Sequence, residues 1–244
     1  MLSVNTGKTD VVILCGGFGK RLRSVVGDRP KSMAEIGERP FLDLLIERTV
    51  SFGFKRFILC AGYRSDVLEK YYRQKRDNTE ILISKEEAPL GTGGAVKNAE
   101  NIIRSSPFLV MNGDSLCRVK MDEFIGFHER KKALISIVLV NSVMTEDYGS
   151  VKCGAAGRIA GFDEKAGSGN KGLINAGIYL FDKAVLDLMP GNRAFSLEYD
   201  FFPKMTEREI YGYATDGDFI DIGTPERLAK AKEILRNQRE AYGG

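Results

Sequence analysis

The run Val11-Val12-Ile13-Leu14 breaks into three glycines within four positions, Gly16, Gly17 and Gly19. β-branched and aliphatic residues without polar alternation read as a buried strand. Glycine after such a strand lets the chain turn tightly and lets a ligand approach the main chain. The N–H groups of a glycine turn at a strand end converge on one spot, which suits an anion. The cations that follow include Lys20, Arg21 and, within Arg29-Pro30-Lys31-Ser32-Met33, Lys31. Main-chain donors plus cations that neutralise moving charge describe a triphosphate cradle. Three other readings compete. A dinucleotide-binding Gly-x-Gly-x-x-Gly needs glycine where Leu22 stands and has no use for Arg21. A Walker loop needs Ser or Thr after Lys20, where Arg21 stands. A plain glycine turn with surface charges accounts for the glycines, but less well for Arg21 together with Arg29-Pro30-Lys31.

The rest of the chain alternates strand and helix. Phe41 to Phe52 carries Phe41, Leu44, Leu45 and Thr49 on one helical stripe, stopped by Gly53. Arg56 to Ala61 reads as a strand, Ser65 caps a helix to about Arg76, and Glu80 to Ser84 is a short strand. This alternation implies a parallel sheet with helices on its faces; the chain as a whole is expected to be α/β, on a Rossmann-like, mixed and mostly parallel sheet flanked by helices. Pro89 to Ala95 opens a helix predicted to reach Arg104. Its residues Leu90, Gly91, Thr92 and Gly93 let a flat nucleobase lie against the backbone, or serve only as a glycine-rich helix start. Pro107 to Met111 is a strand that delivers Asn112, Gly113 and Asp114. An acid at the carboxyl end of a parallel strand sits where α/β proteins bind ligands, and a hard carboxylate suits Mg2+. Asn-Gly-Asp is equally a good turn.

Met121 to Lys132 reads as a helix, Leu134 to Val140 as a strand, and Lys152 to Phe162 as a hairpin around Gly154 to Gly157. Ala166 to Lys171 reads as a mobile loop. In the strand Leu173 to Phe181, Gly177 marks a close approach and Asn175 offers a donor and an acceptor. Ser196 caps a helix whose first turn holds Glu198. Asp221 lies in an apolar strand and needs a partner. Thr224-Pro225 begins the last helix.

The 244 residues fit a single domain, 1–244, with 1–9 as a loose tail. A net charge of +3 with no long basic block argues against nucleic acid. No apolar run approaches the length of a bilayer span, and Met1 to Lys8 lacks the apolar core of a signal peptide. The four cysteines, Cys15, Cys60, Cys117 and Cys153, form no Cys-x-x-Cys and read as free thiols, which suits a cytoplasmic location. The single histidine, His128, is expected on a helix surface and excludes a two-histidine metal site.

Leu14-x-Gly-Gly-x-Gly-x-Arg-Leu followed by Arg-Pro-Lys-Ser-Met resembles the signature of the sugar-1-phosphate nucleotidyltransferases. Leu90 to Ala95, Asn112-Gly113-Asp114, Tyr148-Gly149-Ser150-Val151, Glu164-Lys165, Asn175-x-Gly177 and Asp221 extend the resemblance over nearly the whole chain. The nearest subgroup is that of the D-glycero-D-manno-heptose 1-phosphate guanylyltransferases. The resemblance implies that Leu14, Gly16, Gly17, Gly19, Lys20 and Arg21 bind the nucleotide with Leu90 to Gly93, Asn112 and Gly113. It implies that Gly149, Glu164, Lys165, Asn175, Gly177 and Glu198 hold the sugar phosphate in a small β-subregion. Asp114 and Asp221 would bind Mg2+, and Arg21, Lys31 and Asp114 would be catalytic. The implied reaction joins GMP from GTP to D-glycero-α-D-manno-heptose 1-phosphate and releases pyrophosphate. A uridylyl- or cytidylyltransferase acting on a hexose 1-phosphate, and a catalytically silent regulatory relative, are the alternatives. Oligomeric state, including a homo-oligomer, stays open.

Overall fold

The computed structural model describes residues 4–17, 19, 21–74, 79–142, 148, 150–163 and 172–242. The first half of the chain runs β1 (Asp10–Leu14), α1 (Arg23–Val26), β2 (Glu35–Ile36), β3 (Arg39–Pro40), α2 (Phe41–Ser51), β4 (Arg56–Ala61), α3 (Ser65–Gln74), β5 (Glu80–Lys85) and α4 (Gly91–Asn98). Then come β6 (Phe108–Asn112), β7 (Ser115–Cys117), α5 (Met121–Lys131), β8 (Ile135–Ser142) and the hairpin β9 (Ser150–Cys153) with β10 (Ile159–Asp163). The chain continues through β11 (Gly172–Phe181), α6 (Val185–Leu188), β12 (Ile210–Thr215), β13 (Phe219–Asp221) and α7 (Pro225–Tyr242).

Seven strands form one sheet in the order β12-β8-β11-β6-β1-β4-β5. The neighbours pair in parallel except β11, which is antiparallel to both β6 and β8. The mixed, mostly parallel sheet is as expected. Alternation along β1 splits the core in two. Val11 and Ile13 pack with α2 residues Phe41, Leu42 and Leu45 on one face; Val12 packs with Ala95 and Val96 of α4 on the other. The chain leaves β1 for β4 on one side and later returns to β6 on the other. A crevice therefore opens beyond the carboxyl end of β1, at the point where strand order reverses.

Four local expectations need correction. Residues 4–9, read as part of a loose tail, are pinned: Thr9 is buried, Val4 N donates to Glu129 Oε1 at 2.7 Å, and Asn5 caps a 3-10 turn over Thr6–Lys8. Helix α4 stops at Asn98 rather than Arg104. Beyond it, buried Asp10 accepts Ser105 N at 2.9 Å, and Arg56 donates to Ile102 O at 3.1 Å. Those partners tie residues 102–105 to β1 and β4 in place of further helix. Ser65 is the first residue of α3, not a cap before it. His128, expected at a helix surface, is only 5% exposed. It falls on the buried stripe Met121, Phe124, Ile125, His128, and its Nδ1 lies 2.8 Å from Ser136 Oγ.

Burial pushes the His128 imidazole down to about 4. In the unfolded chain it titrates near 6.5. Below that value the unfolded state binds the extra proton, so stability is full above about pH 6.5 and is lost as the pH falls towards 4. The expected loss reaches about 3 kcal/mol. Urea unfolding at pH 7 and pH 4.5 measures it. His128→Asn, which keeps an acceptor near Ser136, should flatten that slope; an unchanged slope would assign the acid sensitivity elsewhere.

Among the described residues no helix is long and apolar enough to cross a membrane.

Candidate active site

The carboxyl ends of β1, β4 and β6 are tied side by side. Leu14 lies in register with Cys60 and with Asn112. Cys15 N donates to Cys60 O at 2.8 Å, and Gly113 N donates to Leu14 O at 3.0 Å. The glycine loop leaves from this point. Gly19 has φ +54°, and a Cβ there would stand 3.1 Å from Lys31 Cβ. The loop thus lies against the lysine turn, and glycine is needed for both reasons. Open space surrounds Gly17, with nothing within 4 Å of a Cβ built on it. Gly16 differs: a Cβ there would meet Glu86 Oε1 at 2.3 Å. The room that glycine leaves at position 16 is occupied by a carboxylate.

A cavity of about 270 Å³ opens beside the loop. Its wall includes Leu14, Gly16, Gly17, Gly91, Thr92, Asn112 and Gly113, all expected to bind a nucleotide, together with Lys31 and Asp114. Cys15, Ser32, Glu86, Pro89 and Ala95 complete it. Gly19, Arg21, Leu90 and Gly93 are not part of that wall. Arg21 is exposed on a turn closed by Leu22 N to Gly19 O at 2.8 Å, and buried Leu22 anchors the turn. Lys20 lies outside the described residues.

Lys31 and Asp114 meet in the cavity wall. Lys31 Nζ lies 2.6 Å from Asp114 Oδ2, with the lysine side chain 16% and the carboxylate 39% exposed. Buried Ser32 and Met33 fix the turn that presents Lys31. Asp221 reaches the same region through β13, whose ladder with β7 sets Asp221 opposite Ser115. Ile222 N also donates to Asp114 O at 3.0 Å. The partner that Asp221 was expected to need is threefold. Its Oδ1 accepts Gly223 N at 2.8 Å and Arg227 Nη1 at 3.2 Å, and its Oδ2 accepts the Tyr148 hydroxyl. The Arg227 guanidinium stacks 4.7 Å from the Tyr148 ring centre.

This donor set suits a hard divalent cation through Asp114, whose partly exposed carboxylate borders the cavity. Asp221 is adjacent, but its oxygens already serve Arg227, Tyr148 and Gly223. Among the described residues no three His, Cys, Asp or Glu side chains converge. Mg2+ does not need that, since it binds through one or two carboxylates plus substrate phosphates.

The Gly91–Ala95 turn is packed from behind. Gly93 N and Gly94 N donate to Phe195 O at 3.0 and 3.2 Å. A Cβ on Gly93 would strike the Phe195 ring at 2.1 Å. The missing side chain at position 93 therefore makes room for Phe195, and Gly91, Thr92 and Ala95 are the residues of this turn that line the cavity. Thr92 Oγ1 donates to Glu198 Oε2 at 2.6 Å. Of the expected sugar-binding residues, Asn175 and Gly177 lie where β11 changes register. Gly177 has φ +71°, its N–H donates to Asn175 Oδ1 at 2.8 Å, and a Cβ there would collide with Asn112 at 2.6 Å. Gly149, Glu164 and Lys165 lie outside the described residues.

Glu86 escaped the sequence reading. It sits just beyond β5, so the signal that singled out Asp114, an acid at the carboxyl end of a parallel strand, also applied to it. Burial raises its carboxyl above the usual range, opposed by the Leu90 N–H that donates to Oε2 at 3.1 Å. Buried Asn112 Oδ1 has no hydrogen-bond partner among the described residues, so a ligand hydroxyl or N–H in the cavity would satisfy it. Burial holds the neighbouring Cys15 thiol up at about 12, which leaves it a neutral part of the wall.

The family described as nucleotidyl transferase matches residues 10–238. The chain is 36% identical over 229 residues to the D-glycero-alpha-D-manno-heptose 1-phosphate guanylyltransferase of Aneurinibacillus thermoaerophilus, covering 93% of this chain and 99% of that one. It is 33% identical over 234 residues to the mannose-1-phosphate guanylyltransferase of Mycobacterium tuberculosis, covering 94% of this chain and 65% of that one. The crystal structure of HddC from Yersinia pseudotuberculosis superposes with a TM-score of 0.82 at 37% identity, covering 93% of this chain and 99% of that one. HddC complexed with GMP-PN gives the same TM-score and identity.

Proposed function

We propose, from the premise that the chain belongs to the nucleotidyl transferase family, that it transfers GMP from GTP to a sugar 1-phosphate, D-glycero-α-D-manno-heptose 1-phosphate. A nucleotide sugar and pyrophosphate are the products. The observation that carries the reading is one cavity in which the glycine-loop main chain, the Lys31–Asp114 pair and the Glu86 carboxylate converge. The heptose is favoured over mannose because the heptose guanylyltransferase is matched over 99% of its length and the mannose enzyme over 65%.

A sugar phosphate oxygen attacks the α-phosphorus of GTP, a new P–O bond forms, and the bond to the β-phosphate breaks. A phosphate monoester is nucleophilic near neutral pH, so no general base is needed, and the burial of His128 away from the cavity agrees with this. Catalysis then rests on positioning and charge. Lys31 turns its ammonium from Asp114 towards the α-phosphate. Arg21, exposed on the loop, meets the β- and γ-phosphates as they leave. Asn175 and Gly177, with the hairpin β9–β10 nearby in the chain, receive the sugar. Members of this family generally use a divalent metal. Here Mg2+ would be held by Asp114, with Asp221 free to join if Arg227 and Tyr148 give way. When bound it would neutralise phosphate charge as a Lewis acid. Four free thiols, three of them buried, suit a reducing compartment, and we place the reaction in the cytoplasm.

Base choice follows from Glu86. Guanine presents two adjacent donors, N1–H and the N2 amino group, and a carboxylate accepts both. Uracil presents one N–H between two carbonyl oxygens, which a carboxylate repels. Measuring kcat/KM for GTP, ATP, UTP, CTP and dTTP against heptose, mannose and glucose 1-phosphates tests the whole reading. GTP with the heptose should lead, and preference for a pyrimidine triphosphate would overturn the guanylyl assignment. Glu86→Gln should cost about 10- to 100-fold in kcat/KM for GTP, the scale of a charged hydrogen bond.

A further inference from the structure

The Glu198 carboxylate is already engaged. Its Oε2 accepts Thr92 Oγ1 at 2.6 Å and Ser196 Oγ at 2.7 Å, and its Oε1 accepts the Tyr179 hydroxyl at 3.3 Å. An ionised carboxylate offers about four acceptor sites, so little capacity remains for a sugar hydroxyl. The three donors come from different places. Thr92 belongs to the cavity wall, on the first turn of α4. Tyr179 is a fully buried residue of β11, and Asn175 Nδ2 donates to its hydroxyl at 3.0 Å. Asn175 in turn receives Gly177 N at 2.8 Å, and Gly177 abuts Asn112, two residues before Asp114. Ser196 also caps the short π-helical turn Leu197–Phe201 through Glu198 N and Tyr199 N. Leu197 N donates back to Thr92 Oγ1 at 2.8 Å. A continuous polar chain thus runs from the nucleotide loop, through one carboxylate, to the irregular stretch of β11. Charged hydrogen bonds are the strong ones, and the segment that carries Glu198 is also fastened to the loop through Phe195 O.

We propose that Glu198 is a positioning residue that couples the two substrate sites, and that it does not itself hold the sugar. The inference rests on the function proposed above, with nucleotide at the Gly91–Thr92 turn and sugar at Asn175 and Gly177. A sugar phosphate that orders Asn175 fixes Tyr179 and Glu198, and through them Thr92. The loop then loses less freedom when nucleotide arrives. Linkage makes the effect reciprocal: each substrate tightens the other by the same factor.

Calorimetric titration of the wild-type protein tests this, using a GTP analogue with a methylene between the α- and β-phosphorus atoms and heptose 1-phosphate. Each ligand is titrated alone and with the other saturating. The wild type should show a mutual tightening of about 5- to 10-fold, within the usual range of site coupling. In Glu198→Gln that factor should fall below twofold, while the affinity for heptose 1-phosphate alone changes less than about threefold. Tyr179→Phe keeps the buried ring, removes one donor and should give the same result, which guards against a folding defect in the glutamine variant. Loss of tenfold or more in sugar phosphate affinity with the coupling factor intact would make Glu198 a direct sugar ligand and overturn the proposal. A wild-type factor near one would also overturn it, leaving the guanylyltransferase reading in place. Failure of the wild type to bind the GTP analogue at all would remove both.

Discussion

Asp114→Asn should lower turnover by about 10² to 10³, by analogy with removing one preorganised electrostatic contact, a hydrogen-bond donor, at a reacting centre. Asparagine keeps the shape and an acceptor for Lys31, whose Nζ lies 2.6 Å from the native carboxylate. The ligand-free melting temperature should therefore move little. The charge is what disappears, and with it the anionic oxygen that would bind Mg2+ beside the cavity. Steady-state rates over a Mg2+ titration check this. Turnover near wild type at saturating Mg2+ would remove Asp114 from the mechanism, and a large fall in melting temperature would reassign it to structure.

Lys31→Ala should lower turnover by about 10² while changing the affinity for GTP less. The lysine is held in a short turn between Pro30 and the buried Ser32 and Met33, with Gly19 packed against its Cβ. Its ammonium is thus preset beside the cavity. A cation that acts mainly when charge moves at the α-phosphorus contributes more to the transition state than to binding. Single-turnover rates and a separate binding titration divide the two effects. If the loss appeared wholly in GTP affinity, Lys31 would be a binding group only. A variant with unchanged kinetics would end the phosphate-cradle reading of the loop.

Period and punctuation made much of this molecule legible before any coordinates. Val11 to Leu14 and Arg56 to Ala61 are apolar runs bounded by glycine, and both became strands of the sheet. Asn112-Gly113-Asp114 followed such a run, so its place at a carboxyl strand end could be read directly. The direction of β11 could not, because an apolar run carries no sign of which neighbour it will pair with. His128 was misplaced for a different reason. Its type suggested a surface, whereas its spacing from Met121, Phe124 and Ile125 put it on the buried stripe. Glycines were ambiguous in the same way. Gly16 and Gly93 leave room for Glu86 and Phe195, both side chains from elsewhere in the chain, and local sequence does not show what fills such room. The partners of Asp221 were hidden for that reason too: Tyr148 arrives from a distant segment, and Arg227 from the first turn of the last helix.

The short ladder between β7 and β13 joins Ser115 to Asp221, strands far apart in the chain. Pairings of that span form late, because the loop between them must be closed before the contact repays it. While the chain is being synthesised, the glycine loop, Lys31, Glu86 and Asp114 can all be in place before residue 221 has been made. The unfinished protein would then hold an assembled nucleotide cleft before Asp221 reaches it. The Asp221, Arg227 and Tyr148 cluster beside that cleft would assemble only when β13 docks, so the birth of the cleft can be timed separately from the birth of the complete fold.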